Sequence, residues 1–562
     1  MLLRIRSMPR PCYPSAVSSQ AAGSRPATAP RAAERTAAVG RLRALWSRSG
    51  VKVGALTVAA AFVYCLDSLN LLRRFLASTF DLVIFDQGIR GYAHLAAPVS
   101  VARGVSDGQG AHFLLLADHW SPVLALLAPL YWIHDRPATL LVAQGVLFAL
   151  AIPPLWAYTR RQLGPGAAYF VSVAYALSLP VMEAVIFDFH EVAFVPVLTA
   201  VMVERFDVGK RWQGVLAAMA LLLVKEDMGL LVAGFGGYLL LTRRRWTGLG
   251  FVVGGVAATW AATHLLIPAF GGSASFYWAY GQFGSTLGGA LLNVLTHPLH
   301  ALHVFVTPAV KARTMIGLLA MFGFLPLASP MVVAVLPLLA ERMLASGYPL
   351  WWQAKFQYDA FLVMLLACAA VDGAARLQAR LDKRHWSGWL DTLLTYPWSR
   401  PRWLRNGGVA WRACVLWAAA VCAAGLVYFP SSPLGNLLHP KYYTVNTRIR
   451  AAAAAVAHVP SGVEVEAVNN VGPRLSARDT VLLLDGTPRW APWVVADTIG
   501  LDFPFCSPRD QAQLVAYLLR NGYTQVFADD GYVVLRRPAD GRTEQALAHP
   551  VPAARLHTNV CY

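Results

Sequence analysis

LLVAQGVLFALAIPPLWAY, residues 140–158, contains no charged side chain. As an α-helix it would reach about 28 Å, close to the thickness of a hydrocarbon core. A surface helix of a soluble domain would carry a polar face, and this stretch has none. Working outward, similar runs recur at 53–66, 215–224 with 230–241, 249–267, 361–371 and 409–429. Others, at 167–182, 192–203 and 316–340, are interrupted by Pro or Gly, which membrane helices tolerate inside a bundle. Such windows predict about nine to twelve membrane segments. The whole chain agrees: its 562 residues are 56% hydrophobic and 14% charged, whereas a soluble domain is about 25% charged. The sequence predicts an α-helical polytopic membrane protein, with membrane lipid as its surroundings.

The net charge of +18 raises nucleic acid as a partner, and its distribution removes it. Residues 1–50 are rich in Ala, Pro, Ser and Arg, lack the apolar centre of a signal peptide, and read as a disordered basic cytoplasmic tail. A second basic segment, 373–408, holds Arg376, Arg380, Lys383, Arg384, Arg400, Arg402 and Arg405 between two apolar runs. Shorter basic turns occur at Arg160-Arg161, at Arg205 with Lys210-Arg211, and at Arg243-Arg244-Arg245. Basic excess beside membrane segments marks the cytoplasmic side and needs no DNA. No groove-reading motif accompanies it. The membrane domain is therefore expected over 51–429, in a cytoplasmic membrane, with 71–118 as its first extracytoplasmic loop.

Near Pro430 the pattern changes. Short strand-like runs appear at 463–468, 481–484, 493–496, 525–528 and 532–536, mixed with helical patterns at 446–458 and 510–521. The last two strands are joined by Asp529-Asp530-Gly531, a turn that tolerates positive φ and predicts a hairpin. Residues 430–562 are expected to form a small α/β domain, extracytoplasmic because a span at 409–429 follows the basic segment. Cys506 and Cys561 are candidates for a disulfide there, while Cys65, Cys368, Cys414 and Cys422 sit in apolar runs as packing residues. No GxGxxG or Walker pattern opens a helix, so nucleotide binding has no support.

Ionisable groups inside a membrane domain cost about 2.5 to 3.5 kcal/mol each, which makes those that persist functional candidates. Four groups stand out: Asp81 and Asp86 with Gln87; Asp118-His119; Asp188 with His190-Glu191; and Lys225-Glu226-Asp227. With the Arg turns inside, all four face outward, provided residues 119–134 re-enter or lie along the interface instead of crossing. Plainer roles exist for each. Lys225 neutralises Glu226 or Asp227, His190 and Glu191 cap a helix from Val192, His119 is interfacial, and Asp81 is a helix N-cap with Asp86 in the first turn. Those roles leave the convergence of four acidic groups on one face unexplained. Asp81, Asp86, Asp188, His190 and Glu191 are also suitable ligands for Mg or Mn, though without diagnostic spacing.

Several strings together carry a resemblance. They are Phe80-Asp81 with Phe85-Asp86-Gln87, His119-Trp120-Ser121-Pro122, Phe187-Asp188-Phe189-His190-Glu191, Lys225-Glu226-Asp227-Met228-Gly229, and Asn470 with Arg474-Leu475-Ser476-Ala477-Arg478. From about residue 75 to 540 the chain resembles the bacterial membrane proteins grouped as domain of unknown function 2079. That family is similar in layout to type C glycosyltransferases, polytopic enzymes that use polyprenyl-phosphate sugars. The resemblance implies glycosyl transfer outside the membrane. Asp81 or Asp86 would be the general base, and Lys225 or Lys355 the cation facing the departing phosphate. Gln87, His119, Asp188, His190, Glu191, Glu226 and Asp227 would line the substrate site. Two Asp five residues apart replace the usual acidic pair, which leaves the base unassigned between them. The competing classes are a transporter or flippase for a lipid-linked or small polar substrate, and a non-catalytic membrane protein.

Overall fold

The computed structural model describes residues 49–273, 275, 278–383 and 409–548. The tail 1–48, the basic segment 384–408 and Cys561 lie outside these residues. The described residues from Val53 onward form one compact unit.

Five tracts are long and apolar enough to cross a membrane: Ser49–Arg73, Ala138–Ile186, Arg245–Ala269, Ala360–Asp382 and Ala410–Ser431. The pair Leu287–Thr296 and Pro298–Val306, bent by 103°, is a sixth if it counts as one broken span. The expected nine to twelve segments are thus not all single long helices, and backbone chemistry explains why. The 316–340 run is cut by Gly323 (φ 61) and by prolines into 3-10 turns at Leu325–Ala328 and Pro330–Val335. Residues 119–134 hold only the short apolar helical stretch Pro122–Tyr131.

We number the helices used below α1 (Ser49–Arg73), α2 (Ile84–Ala93), α3 (Ala138–Leu150), α4 (Ile152–Ala176), α5 (Leu179–Ile186), α6 (Phe194–Asp207), α7 (Arg211–Leu221), α8 (Met228–Leu241), α9 (Arg245–Ala261), α10 (Leu336–Leu344), α11 (Ala360–Lys383) and α12 (Val409–Tyr428). Helix α4 breaks at Gly164 (φ 86) before Pro165, so Ala138–Ile186 runs down the bundle and back. Helices α8 and α9 pack backbone to backbone. A Cβ on Gly229 would lie 2.2 Å from the Gly255 carbonyl oxygen, so glycine lets these two backbones touch.

Contacts define two ends of the bundle. At one, Arg161 pairs with Glu204 (2.8 Å) and Asp207 (2.7 Å), Arg244 donates to the Phe206 carbonyl (3.2 Å), and the Trp411 indole donates to the Leu163 carbonyl (3.1 Å). The chain leaving α1, α5 and α7, and entering α6, α8 and α11, lies at the other.

Past α12 comes a five-stranded sheet in the order β2-β1-β3-β5-β4. Strands β1 (Glu464–Ala467), β2 (Thr480–Leu483) and β3 (Trp493–Asp497) are parallel. β4 (Thr524–Asp529) and β5 (Tyr532–Arg536) add the expected hairpin, with Asp530 at φ 40 and Gly531 at φ 86. Two helices, Thr447–His458 and Pro508–Arg520, flank it, the second opened by a capping box between Ser507 and Asp510. Cys506 is disulfide-bonded; Cys65, Cys368, Cys414 and Cys422 are free.

Candidate functional site

Asp81 sits on a short π-helical turn, Thr79–Val83, that restarts the chain after α1. The first amides of any helix lack intrahelical partners. Here they are met partly from the sheet region. Asn469 accepts through its carbonyl from the Thr79 N–H and hydroxyl (both 2.7 Å), and through Oδ1 from the Phe80 N–H (2.9 Å). Ser78 Oγ caps Asp81 N–H at 3.1 Å, and Ser78 N–H donates to Asp188 Oδ2 at 2.8 Å. The approach requires glycine at 472, where a Cβ would lie 2.1 Å from Thr79 Oγ1. Residues nearly four hundred apart in sequence thus fix one turn.

From this turn a row of ionisable groups runs across the end of the bundle. His190 Nε2 lies 3.3 Å from Asp81 Oδ1, and its Nδ1 lies 3.0 Å from the Asp188 carbonyl. Both neighbours are acceptors, an arrangement that favours the doubly protonated ring. Burial opposes that charge, but Asp81 and Glu191 outweigh it and raise the His190 pKa. The ring stacks on Phe187 with centroids 5.1 Å apart. Burial first, and the Asp81 carboxylate second, push Asp188 up to about 7. Next, Glu191 Oε1 meets Lys225 Nζ at 3.1 Å. Burial works against the Glu191 anion, yet Lys225, His119 and His190 lower its pKa overall. Glu226 then accepts from the His119 ring (2.8 Å) and from the Trp120 N–H (3.1 Å). Asp227, pushed up by burial to about 7, has one buried oxygen with no partner among the described residues.

The row therefore joins the expected groups at Asp81, His119, Asp188–Glu191 and Lys225–Asp227. Accessibility separates them. The Asp81 side chain is 23% exposed, against 2% for Glu191, while Asp188 is 6% exposed as a residue. Lys225 keeps 18%.

Asp86 and Gln87 stand apart. Asp86 is fully buried and accepts from Arg90 (2.8 and 3.2 Å), the Tyr131 hydroxyl (2.7 Å) and Ser476 Oγ (2.9 Å). Burial raises its pKa despite these bonds. Gln87 bonds the Val481 carbonyl and the Ala102 amide, both at 3.0 Å. These two residues fasten α2 to the sheet region. Asp118 is held by Arg103 at 3.0 Å. Metal ligation by Asp81, Asp86, Asp188, His190 and Glu191 is not supported. Among the described residues, no three His, Cys, Asp or Glu side chains are arranged to hold an ion.

Lys355 is exposed and stands at a cavity of about 440 Å³ with Arg313, Thr314 and Asp359 among apolar Leu179, Leu318 and Met321. The ring of its neighbour Phe356 lies 4.7 Å from that of Phe187, which connects the cavity to the row. Sequence reasoning missed the Arg342–Asp359 ion pair (2.6 Å) and the capping Asn469. Glu341-Arg342 closing an apolar run was the available signal for the first. Nothing local marks the second.

A family model described as "Predicted membrane protein (DUF2079)" matches residues 71–534. The chain belongs to this family. The matched segment contains the turn bearing Asp81, the whole ionisable row and the first four strands of the sheet, and ends within β5. Among solved structures, the chain is similar to ArnT from Cupriavidus metallidurans bound to undecaprenyl phosphate, at 13% identity over 88% of this chain and 99% of that chain, with a TM-score of 0.48. It is also similar to the archaeal oligosaccharyltransferase AglB from Archaeoglobus fulgidus in complex with an inhibitory peptide and a dolichol-phosphate, at 12% identity over 90% and 77%, with a TM-score of 0.38. No curated protein matches.

Proposed function

We propose that this protein is a membrane glycosyltransferase that moves a sugar from a polyprenyl-phosphate donor to an acceptor hydroxyl on the extracytoplasmic side, with Asp81 as general base. The observation that carries the reading is the accessible Asp81 carboxylate beside the His190 ring, at the end of an apolar bundle. As the acceptor oxygen bonds the sugar's anomeric carbon, Asp81 takes its proton. The bond from that carbon to the phosphate oxygen breaks, and polyprenyl phosphate leaves with the electron pair. In-line attack inverts the anomeric centre. Phosphate is a good leaving group, so no acid partner of the kind used in hydrolysis is needed. Lys225, one of whose N–H groups meets Glu191, has others to offset charge on the departing phosphate. The Lys355–Arg313 cavity, apolar below and cationic at its rim, suits the phosphate and first isoprene units.

Sidedness has two supports. The basic turns at Arg160-Arg161, Lys210-Arg211 and Arg243–Arg245 lie at the opposite end of the bundle from the row, as the positive-inside pattern requires. The disulfide at Cys506 fits an oxidising compartment for the sheet region.

The test uses purified protein in lipid nanodiscs, a panel of undecaprenyl-phosphate-linked pentoses and hexoses, and a cell-envelope extract as acceptor. Mass spectrometry should find free undecaprenyl phosphate released by the wild type and not by Asp81→Asn. A wild type that consumes no donor, yet moves a lipid-linked sugar across vesicle membranes, would replace this reading with the transporter.

A further inference from the structure

At the end of the bundle opposite Asp81, the turns joining α6 to α7 and α8 to α9 meet around a second cavity. It measures about 650 Å³ and is lined by Gly209, Lys210, Arg211, Trp212, Gln213 and Arg244. The local charge is unbalanced. The acids of this corner are already taken, Glu204 by Arg161 and Arg205, and Asp207 by Arg161 and Gln162. Lys210, Arg211, Arg243, Arg244 and Arg245 form no ion pair with any described carboxylate. Arg244 spends one N–H on the Phe206 carbonyl at 3.2 Å, which fixes its guanidinium at the cavity and leaves its other donors. A shallow, solvent-open site rich in cations and poor in acids takes an anion with several acceptor oxygens.

The surroundings say what the anion is attached to. Trp212 is 70% exposed and Trp246, on the neighbouring helix, 86%, the placement of tryptophan at a bilayer surface. From Trp212 an exposed apolar stripe descends α7 through Leu216 and Met219 and continues to Leu223 just past its end, the helical spacing that keeps one face turned outward. A parallel stripe descends α9 through Leu249, Val253 and Val256. A free phosphate or nucleotide would have no use for such walls. A glycerophospholipid places phosphate at the head and acyl chains along them.

We propose that this cavity is a specific binding site for an anionic phospholipid. Its headgroup phosphate is held by Lys210, Arg211 and Arg244, its glycerol region lies beside Trp212, and an acyl chain lies along α7. The site is independent of the chemistry at Asp81 and sits at the opposite end of the same helices. An anionic lipid bound there would clamp the ends of α6 and α8, the helices that begin beside Glu191 and Lys225.

Native mass spectrometry of detergent-purified protein titrated with phosphatidylglycerol, cardiolipin or phosphatidylcholine tests the proposal. Wild type should retain phosphatidylglycerol or cardiolipin adducts and not phosphatidylcholine. Each near-surface cation is worth about a fivefold factor in binding anionic lipid. Lys210→Gln with Arg211→Gln should therefore weaken binding more than tenfold, and adding Arg244→Gln should weaken it further. The double variant changes only exposed side chains, so it tests the site even if the triple variant fails to fold. Equal binding of phosphatidylcholine, or unchanged adducts in the double variant, would overturn the proposal. Full displacement of the lipid by millimolar inorganic phosphate would overturn the lipid source and leave a free-anion site.

Discussion

Replacing Asp86 and Asp81 one at a time should separate folding from chemistry. Asp86 is completely buried and receives bonds from Arg90, Tyr131 and Ser476. Removing one partner of a buried ion pair costs about 3–5 kcal/mol, because the remaining charge stays behind unpaired. Arg90 would retain Asp135 at 2.7 Å and the Ser476 carbonyl at 2.9 Å, which places Asp86→Asn at the low end, about 3 kcal/mol. Ser476→Ala, which deletes only one neutral donor, should cost about 1 kcal/mol. Asp81 is a different case. Its carboxylate is partly open to water, and its single ionic contact is 3.3 Å from His190, so Asp81→Asn should cost less than about 1 kcal/mol of stability. The same change removes the general base, worth about a hundred- to ten-thousandfold in rate. Thermal unfolding in detergent, followed by tryptophan fluorescence, should show a large drop for Asp86→Asn and almost none for Asp81→Asn. Donor turnover should be lost in folded Asp81→Asn. If Asp86→Asn melted like the wild type and lost turnover while Asp81→Asn kept it, the assignment of roles would be reversed and the argument refuted.

Other perturbations reach the same network. Gly472→Ala drives a methyl into Thr79 and Val481, so it should destabilise by about 1–3 kcal/mol and lower turnover by displacing the Asp81 turn, as thermal unfolding and the donor assay would register. Lys225→Met strands the buried Glu191 carboxylate and should cost about 3–5 kcal/mol, most of it recovered by adding Glu191→Gln, as chemical denaturation would register. Asp188 has a raised pKa of about 7. Between about pH 4 and 7 the native state holds a proton that the unfolded chain releases, so this group makes stability fall as pH rises and has no further effect above about pH 7. Asp188→Asn keeps an acceptor for the Ser78 amide and should flatten that part of a melting-temperature profile; an unchanged slope would refute the assignment.

Much of this was legible in the sequence because it rests on local physics. Uncharged runs announced a membrane bundle, and Asp529-Asp530-Gly531 announced the hairpin, since both are settled by neighbouring residues. The acidic groups were visible because charge is rare in such runs. Which of them face one another was not, because the pairs His190–Asp81 and Lys225–Glu191 are made by helices returning to one end of the bundle. Asp81 and Asp86 looked alike on paper. The difference came from Tyr131, Ser476 and Arg90, of which Ser476 lies far along the chain. Where an apolar run would be broken was not legible, because its composition persists through the backbone breaks at Gly323 and Pro330. The Asn469 cap was invisible, because a lone Asn after a strand carries no sign of what it will bond.

The account depends most on which side of the membrane the Asp81 end faces. Single cysteines placed at Leu95, which is 91% exposed just beyond α2, and at exposed Gln213 beside the basic cavity settle this with a membrane-impermeant maleimide. Cys12 in the tail and the free cysteines at 65, 368, 414 and 422 are replaced first. Leu95→Cys should react in intact cells, and Gln213→Cys only after permeabilisation. Labelling of Gln213→Cys in intact cells, with Leu95→Cys silent until the membrane is opened, would contradict the account.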